Sequence, residues 1–116
     1  MTLEQKARAY FAAFENKDLD QLSDMFTPIV TLKDWNLSVF GRPAVLEANA
    51  KIFNDIEKIK IDVQKLHMAG LNVVIAELLI MADEEEPLPV VDIITWTTRG
   101  PIRDRKISSI VAYRGN

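Results

Sequence analysis

The sequence predicts an α+β domain, with three helices in its N-terminal half packed on a mostly antiparallel sheet. Up to about Ile56, apolar side chains recur every three or four residues, the period of a helix with one buried face. From Lys58 onward the texture changes to runs of β-branched and aliphatic residues broken by short turns. The chain of 116 residues is long enough for one hydrophobic core and too short for two, so residues 1–116 read as a single domain.

Thr2 followed by Gln5 is a capping-box pattern, and it opens a helix whose apolar stripe is Leu3, Ala7, Tyr10, Phe11 and Phe14. Asn16 and Lys17 break the stripe. Asp18 with Gln21 then caps a shorter helix carrying Leu19, Leu22, Met25 and Phe26, which Pro28 is predicted to end. Ile29 to Trp35 reads as a strand and Trp35 to Phe40 as a loop. Gly41-Arg42-Pro43 delivers the chain into a third helix, because proline is tolerated in a first helical turn. Four strands are predicted after it, at Ile59–Met68, Leu71–Met81, Leu88–Thr98 and Ile107–Tyr113, with a polar loop from Arg99 to Lys106. These strands are apolar at nearly every position instead of alternating, so both sheet faces should be covered: one by the helices, the other by a second copy of the chain. A homodimer is the expectation.

Composition removes several classes of function. A formal net charge of -3 without a basic cluster gives no footprint for nucleic acid. The absence of cysteine excludes disulfides, thiol catalysis and thiolate metal sites. The single histidine, His67, is a poor start for a metal site, and Asp83-Glu84-Glu85-Glu86 lacks the spacing of a calcium loop. The longest apolar stretch, Val73 to Ala82, is interrupted by Glu77 and too short to cross a membrane. The chain opens on amphipathic, charged sequence without the pattern of a signal peptide, and a cytoplasmic location is the expectation.

One charged residue stands where an apolar one is the rule. Asp92 lies between Val90-Val91 and Ile93-Ile94, and strand alternation puts Val90, Asp92, Ile94 and Trp96 on one face. If that face is interior, desolvation raises the carboxyl pKa and makes it a neutral hydrogen-bond donor; an Asp paired with a lysine, or on the outer face, is the equal alternative. Tyr10 sits within the first helix's apolar stripe, where a tyrosine is usually core. Asp34 ends the first strand, where an aspartate is usually a turn residue. His67 reads as a structural or surface residue and Lys58 and Lys60 as a polar face, while Glu77 either enters the pocket or makes a salt bridge on the dimer face.

The order of these pieces resembles the ketosteroid isomerase branch of the nuclear-transport-factor-2-like superfamily, which includes many SnoaL-like proteins. The resemblance covers essentially the whole chain. It rests on Ala9-Tyr10-Phe11, Lys17-Asp18-Leu19 leading to Met25-Phe26, Val30-Thr31-Leu32-Lys33-Asp34, Gly41-Arg42, Val91-Asp92-Ile93 and Ile110-Val111-Ala112-Tyr113. It implies a cone-shaped fold with a curved sheet around a hydrophobic pocket. It further implies Tyr10, Asp34 and Asp92 as the catalytic trio, with no metal or organic cofactor. The activity implied is an isomerase-type proton transfer α to the carbonyl of a small hydrophobic ligand. The alternatives are a non-catalytic ligand-binding or dimerisation domain, or a SnoaL-like cyclase or hydrolase using the same cavity.

The resemblance also marks substrate-binding candidates where this sequence departs from the family. Phe26 and Asn49 stand where well-studied members place further tyrosines, Trp35 replaces a usual proline, and Trp96 shares the Asp92 face. Arg114 replaces an aromatic after the closing Ala-Tyr. Facing the cavity, it would suit a carboxylate or phosphate on the substrate; reaching to solvent or to an acidic neighbour, it would have no such role.

Overall fold

The computed structural model describes residues 1–115. The Thr2 hydroxyl accepts from the Gln5 N–H at 3.1 Å, and Gln5 Oε1 accepts from the Thr2 N–H at 2.8 Å. This closed capping box starts α1, Leu3–Glu15, which buries Leu3, Ala7, Tyr10, Phe11 and Ala13. Asp18 then caps α2, Leu19–Met25, by accepting from the Gln21 N–H at 3.0 Å.

Two local expectations are corrected here. Pro28 does not end the second helix: α2 stops at Met25 and β1, Phe26–Lys33, begins at once. Phe26 is extended and buried, so the core draws the chain into the sheet before the proline is reached. Pro28 sits where the ladder is irregular between Phe26 and Thr31, a place where a missing N–H costs no strand bond. The stretch after Asp34 is not wholly loop either. Ser38–Phe40 forms a short β2 that pairs antiparallel with β1, Lys33 opposite Ser38 and Thr31 opposite Phe40. Since β1 ends at Lys33, Asp34 and Trp35 belong to the turn between the two strands.

Gly41, at φ 93°, makes the backward bend that lets its N–H reach the Val30 carbonyl at 2.7 Å. A side chain at that φ is strained, so glycine is what the bend requires. It leads into α3, Arg42–Asp55, with Pro43 in the first turn and Val45, Asn49 and Phe53 buried. Four strands follow: β3 Ile59–Ala69, β4 Val73–Ala82, β5 Leu88–Trp96 and β6 Ile107–Arg114. Leu71, predicted to open a strand, is 86% exposed in the turn after Gly70, and the strand starts at Val73. The Arg99–Lys106 segment contains one 3-10 turn, Ile102–Asp104. Lys6 Nζ ties it to α1 by donating to the Ile102 and Arg103 carbonyls at 3.1 Å and to the Arg105 carbonyl.

The strands form one open, curved sheet in the order β2-β1-β6-β5-β4-β3, antiparallel throughout except for the parallel β1–β6 pair. Helix α1 packs over β3 and β4, and α3 over β1, so the helices cover one face. Along β5 the buried positions are Val90, Asp92, Ile94 and Trp96, the alternation read from the sequence. On the opposite face Ile75, Ile93 and Val111 align in one cross-strand row. Among the described residues, no helix is long and apolar enough to cross a membrane.

Candidate active site

Two alanines explain why a cavity opens over Asp92. The strand register places Ala76 of β4 on one side of Asp92 and Ala112 of β6 on the other. Where most inner positions of the sheet carry Leu, Ile or Val, this row has two methyl groups flanking a carboxyl. The space left between sheet and helices is a cavity of about 110 Å³. Phe11 and Phe14 from α1, Ile52 from α3, and Leu78, Val90 and Ile110 from the sheet supply apolar wall. The polar groups that reach it are Tyr10, Asp34, Asn49 and Asp92, with Trp35 at the margin.

Asp92 is only 9% exposed. Burial, followed by the like charge of Asp34, pushes its carboxyl up to about 7 from 3.8. Tyr10 is pushed well above its ordinary value by burial and then by the Asp92 charge, so it remains a neutral phenol and a donor. Its ring is clasped by Phe11, Phe26 and Phe14, with centroids at 5.3, 6.2 and 6.4 Å. Of the trio, only Asp34 has hydrogen-bond partners among the described residues. Its Oδ1 accepts from the Asn36 N–H at 2.7 Å and the Leu37 N–H at 2.9 Å. The turn-residue reading and the site reading of Asp34 therefore coexist: one oxygen closes the turn, and the residue also lines the cavity.

Such a layout, a phenol and two carboxyls around an apolar hollow, can polarise a carbonyl and carry a proton beside it. Among the described residues, no group of three or more His, Asp or Glu side chains gathers as metal ligands. The SnoaL-like domain model matches residues 7–107, most of the chain. The chain belongs to the SnoaL-like domain family. No curated protein matches it in sequence.

Solved structures similar to this SnoaL-like domain include a candidate dehydratase of the nuclear-transport-factor-2-like family from Streptomyces avermitilis. It superposes with a TM-score of 0.85 at 20% identity, over 99% of this chain and 94% of its own. Nuclear transport factor 2 from Cryptosporidium parvum superposes with a TM-score of 0.83 at 12% identity, over 97% and 90%. A candidate isomerase of the SnoaL-like family from Agrobacterium tumefaciens gives 0.77 at 11% identity, over 95% and 94%. At these identities the likeness is one of fold.

The remaining residues singled out from the sequence fall in different places in the SnoaL-like domain. Asn49 and Trp35 line the cavity. Phe26 and Trp96 do not, and both are fully packed core residues. Phe26 backs the Tyr10 ring without reaching the hollow. Trp96 does share the Asp92 face, but four residues along a strand is about 13 Å, which carries it beneath the helices near Lys6 and Met25. Arg114 stands opposite Val90 at the end of β6, and its guanidinium lies over the Trp35 ring at 6.0 Å, exposed at the rim. It does not enter the cavity. His67 and Glu77 pair with each other at 2.6 Å on the surface. Sequence reasoning did not single out Ala76 and Ala112, because only the register reveals that they flank Asp92.

Proposed function

We propose that this SnoaL-like domain is a cofactor-independent isomerase-type enzyme that moves a proton α to a carbonyl through an enolate. Its substrate is a small carbonyl compound with a largely apolar body. The observation that carries this reading is that Tyr10, Asp34 and Asp92 all line one cavity with apolar walls. A site for binding alone has no use for two carboxyl groups beside an apolar ligand, since each is costly to desolvate.

The chemistry follows from the state of each group. The carbonyl oxygen sits against the Tyr10 hydroxyl and the protonated Asp92, both donors. Asp34 takes the α-proton, the C–H electron pair moves into the new C–C double bond, and the carbonyl pair moves onto oxygen. Donors aimed at that oxygen strengthen as its charge grows, which is how they lower the barrier. Asp34 then returns the proton at the γ-carbon of a β,γ-unsaturated ketone, the double bond moves into conjugation, and the carboxylate is regenerated. Ketosteroid isomerases divide the work in this way, with an aspartate base and a carboxylic acid kept neutral by its apolar site.

The test is solvent deuterium exchange and double-bond migration in small cyclic β,γ-unsaturated ketones, followed by NMR. Asp34→Asn should abolish both, and Tyr10→Phe should slow them by about 10²–10³, the worth of one donor to a developing oxyanion. Failure of the wild type to exchange any such ketone would refute the reading. The sheet's outer row of Ile75, Ile93 and Val111 supports a further part of the proposal, a homodimer formed across that face.

A further inference from the structure

Asn49 is the buried polar side chain of the cavity that the enolate chemistry leaves idle. It is 2% exposed, lines the hollow, and its Nδ2 has no protein hydrogen-bond partner. Buried amide donors are nearly always paired with something, so an unpaired one on a side chain that lines a cavity points to an oxygen that enters from outside. Its place in the helix strengthens the point. The buried positions of α3 are Val45, Asn49 and Phe53, four residues apart, so a carboxamide occupies a core position where an aliphatic side chain would pack.

The walls say which part of a ligand Asn49 would meet. Tyr10 comes from α1, over β3 and β4, and Asp92 from β5, whereas Asn49 comes from α3, over β1. The carboxamide thus enters the hollow from a different element than the two groups that hold the carbonyl. Size narrows the choice further. The cavity holds about 110 Å³. An apolar cavity of roughly 150 Å³ accepts benzene, so a hollow of this order suits one ring.

We infer that Asn49 is a substrate-recognition residue for a second oxygen function, and that the substrate is a compact, doubly oxygenated carbonyl compound of about one ring. Cyclic diones and hydroxy-enones are the chemical class. A carboxamide both donates and accepts, so it can receive either a carbonyl or a hydroxyl. The inference rests on the enolate reading for where the first oxygen sits, and on Asn49 alone for the second.

Phenol, catechol, resorcinol and hydroquinone separate the two by calorimetric titration of wild type, Tyr10→Phe and Asn49→Leu. One of the three dihydroxybenzenes should bind the wild type about tenfold tighter than phenol, the worth of one good hydrogen bond. Asn49→Leu should erase that advantage while phenol itself binds within about threefold of wild type; Asn49→Ala serves as a second variant. No advantage in any isomer, or an advantage that survives in Asn49→Leu, overturns the inference. If Asn49→Leu erases the advantage but Tyr10→Phe weakens nothing, the second-oxygen site stands and the enolate reading falls. If none of the four compounds binds, both fall.

Discussion

Asp92→Asn should make the protein more stable at neutral and alkaline pH and change little in acid. The magnitude comes from the carboxyl's move from 3.8 to about 7. At about 1.4 kcal/mol per tenfold in proton affinity, that move is worth about 4 kcal/mol. The sign is set by where the proton resides. Below pH 3.8 the group is neutral in both the folded and unfolded chain, and it contributes nothing. Between 3.8 and about 7 the folded chain keeps the proton that the unfolded chain has lost. Stability therefore falls as pH rises through this window, by about 1.4 kcal/mol per pH step, and levels off above it. Denaturant unfolding of wild type and Asp92→Asn from pH 4 to pH 9 measures this as a difference, cancelling the titration of groups that do not interact with Asp92. The gap should open from near zero at about pH 4 to several kcal/mol at about pH 8. A gap of constant size across the range would refute the assignment of Asp92 as a buried acid raised by desolvation.

Three other perturbations probe separate parts of the account. Asn49→Leu removes an unpaired buried amide from a core position and should raise stability by about 1 kcal/mol, read by the same denaturation method. Ala112→Leu puts three more carbons into a cavity of about 110 Å³; phenol binding should be lost while stability stays within about 1.5 kcal/mol of wild type. Ile93→Lys places a charge in the middle of the outer apolar row; if the sheet face joins two copies, sedimentation should show the variant as a monomer at concentrations where the wild type is a dimer.

How much of this was legible before the structure depends on the range over which each signal acts. The Thr2–Gln5 cap and the β5 alternation are local patterns, and both appear as read. Asp92 stood out because a carboxyl in an apolar strand has so few explanations. Phe26 and Trp96 were named for the right neighbourhood and lie outside the hollow, because periodicity tells which face a side chain takes and not how far along the element the cavity extends. Arg114 is on the cavity face by register, but at a strand end its long side chain is free to swing to Trp35. The short β2 and the Ala76–Asp92–Ala112 row depend on partners distant in sequence, and no window of neighbouring residues contains them.

The turn at Asp34 has a wider consequence. The same residue whose carboxyl closes the bend at Asn36 and Leu37 lines the cavity, and the residue next to it, Trp35, stands at the rim beneath Arg114. Access and reactivity are thus set by one piece of backbone. On the proposed mechanism, a change that loosens the doorway also displaces the base, so the site would lose its chemistry whenever it is forced open. Substitutions around the rim should therefore alter substrate capture and turnover together, and a broader entrance is reached only by rebuilding the bend around a fixed Asp34.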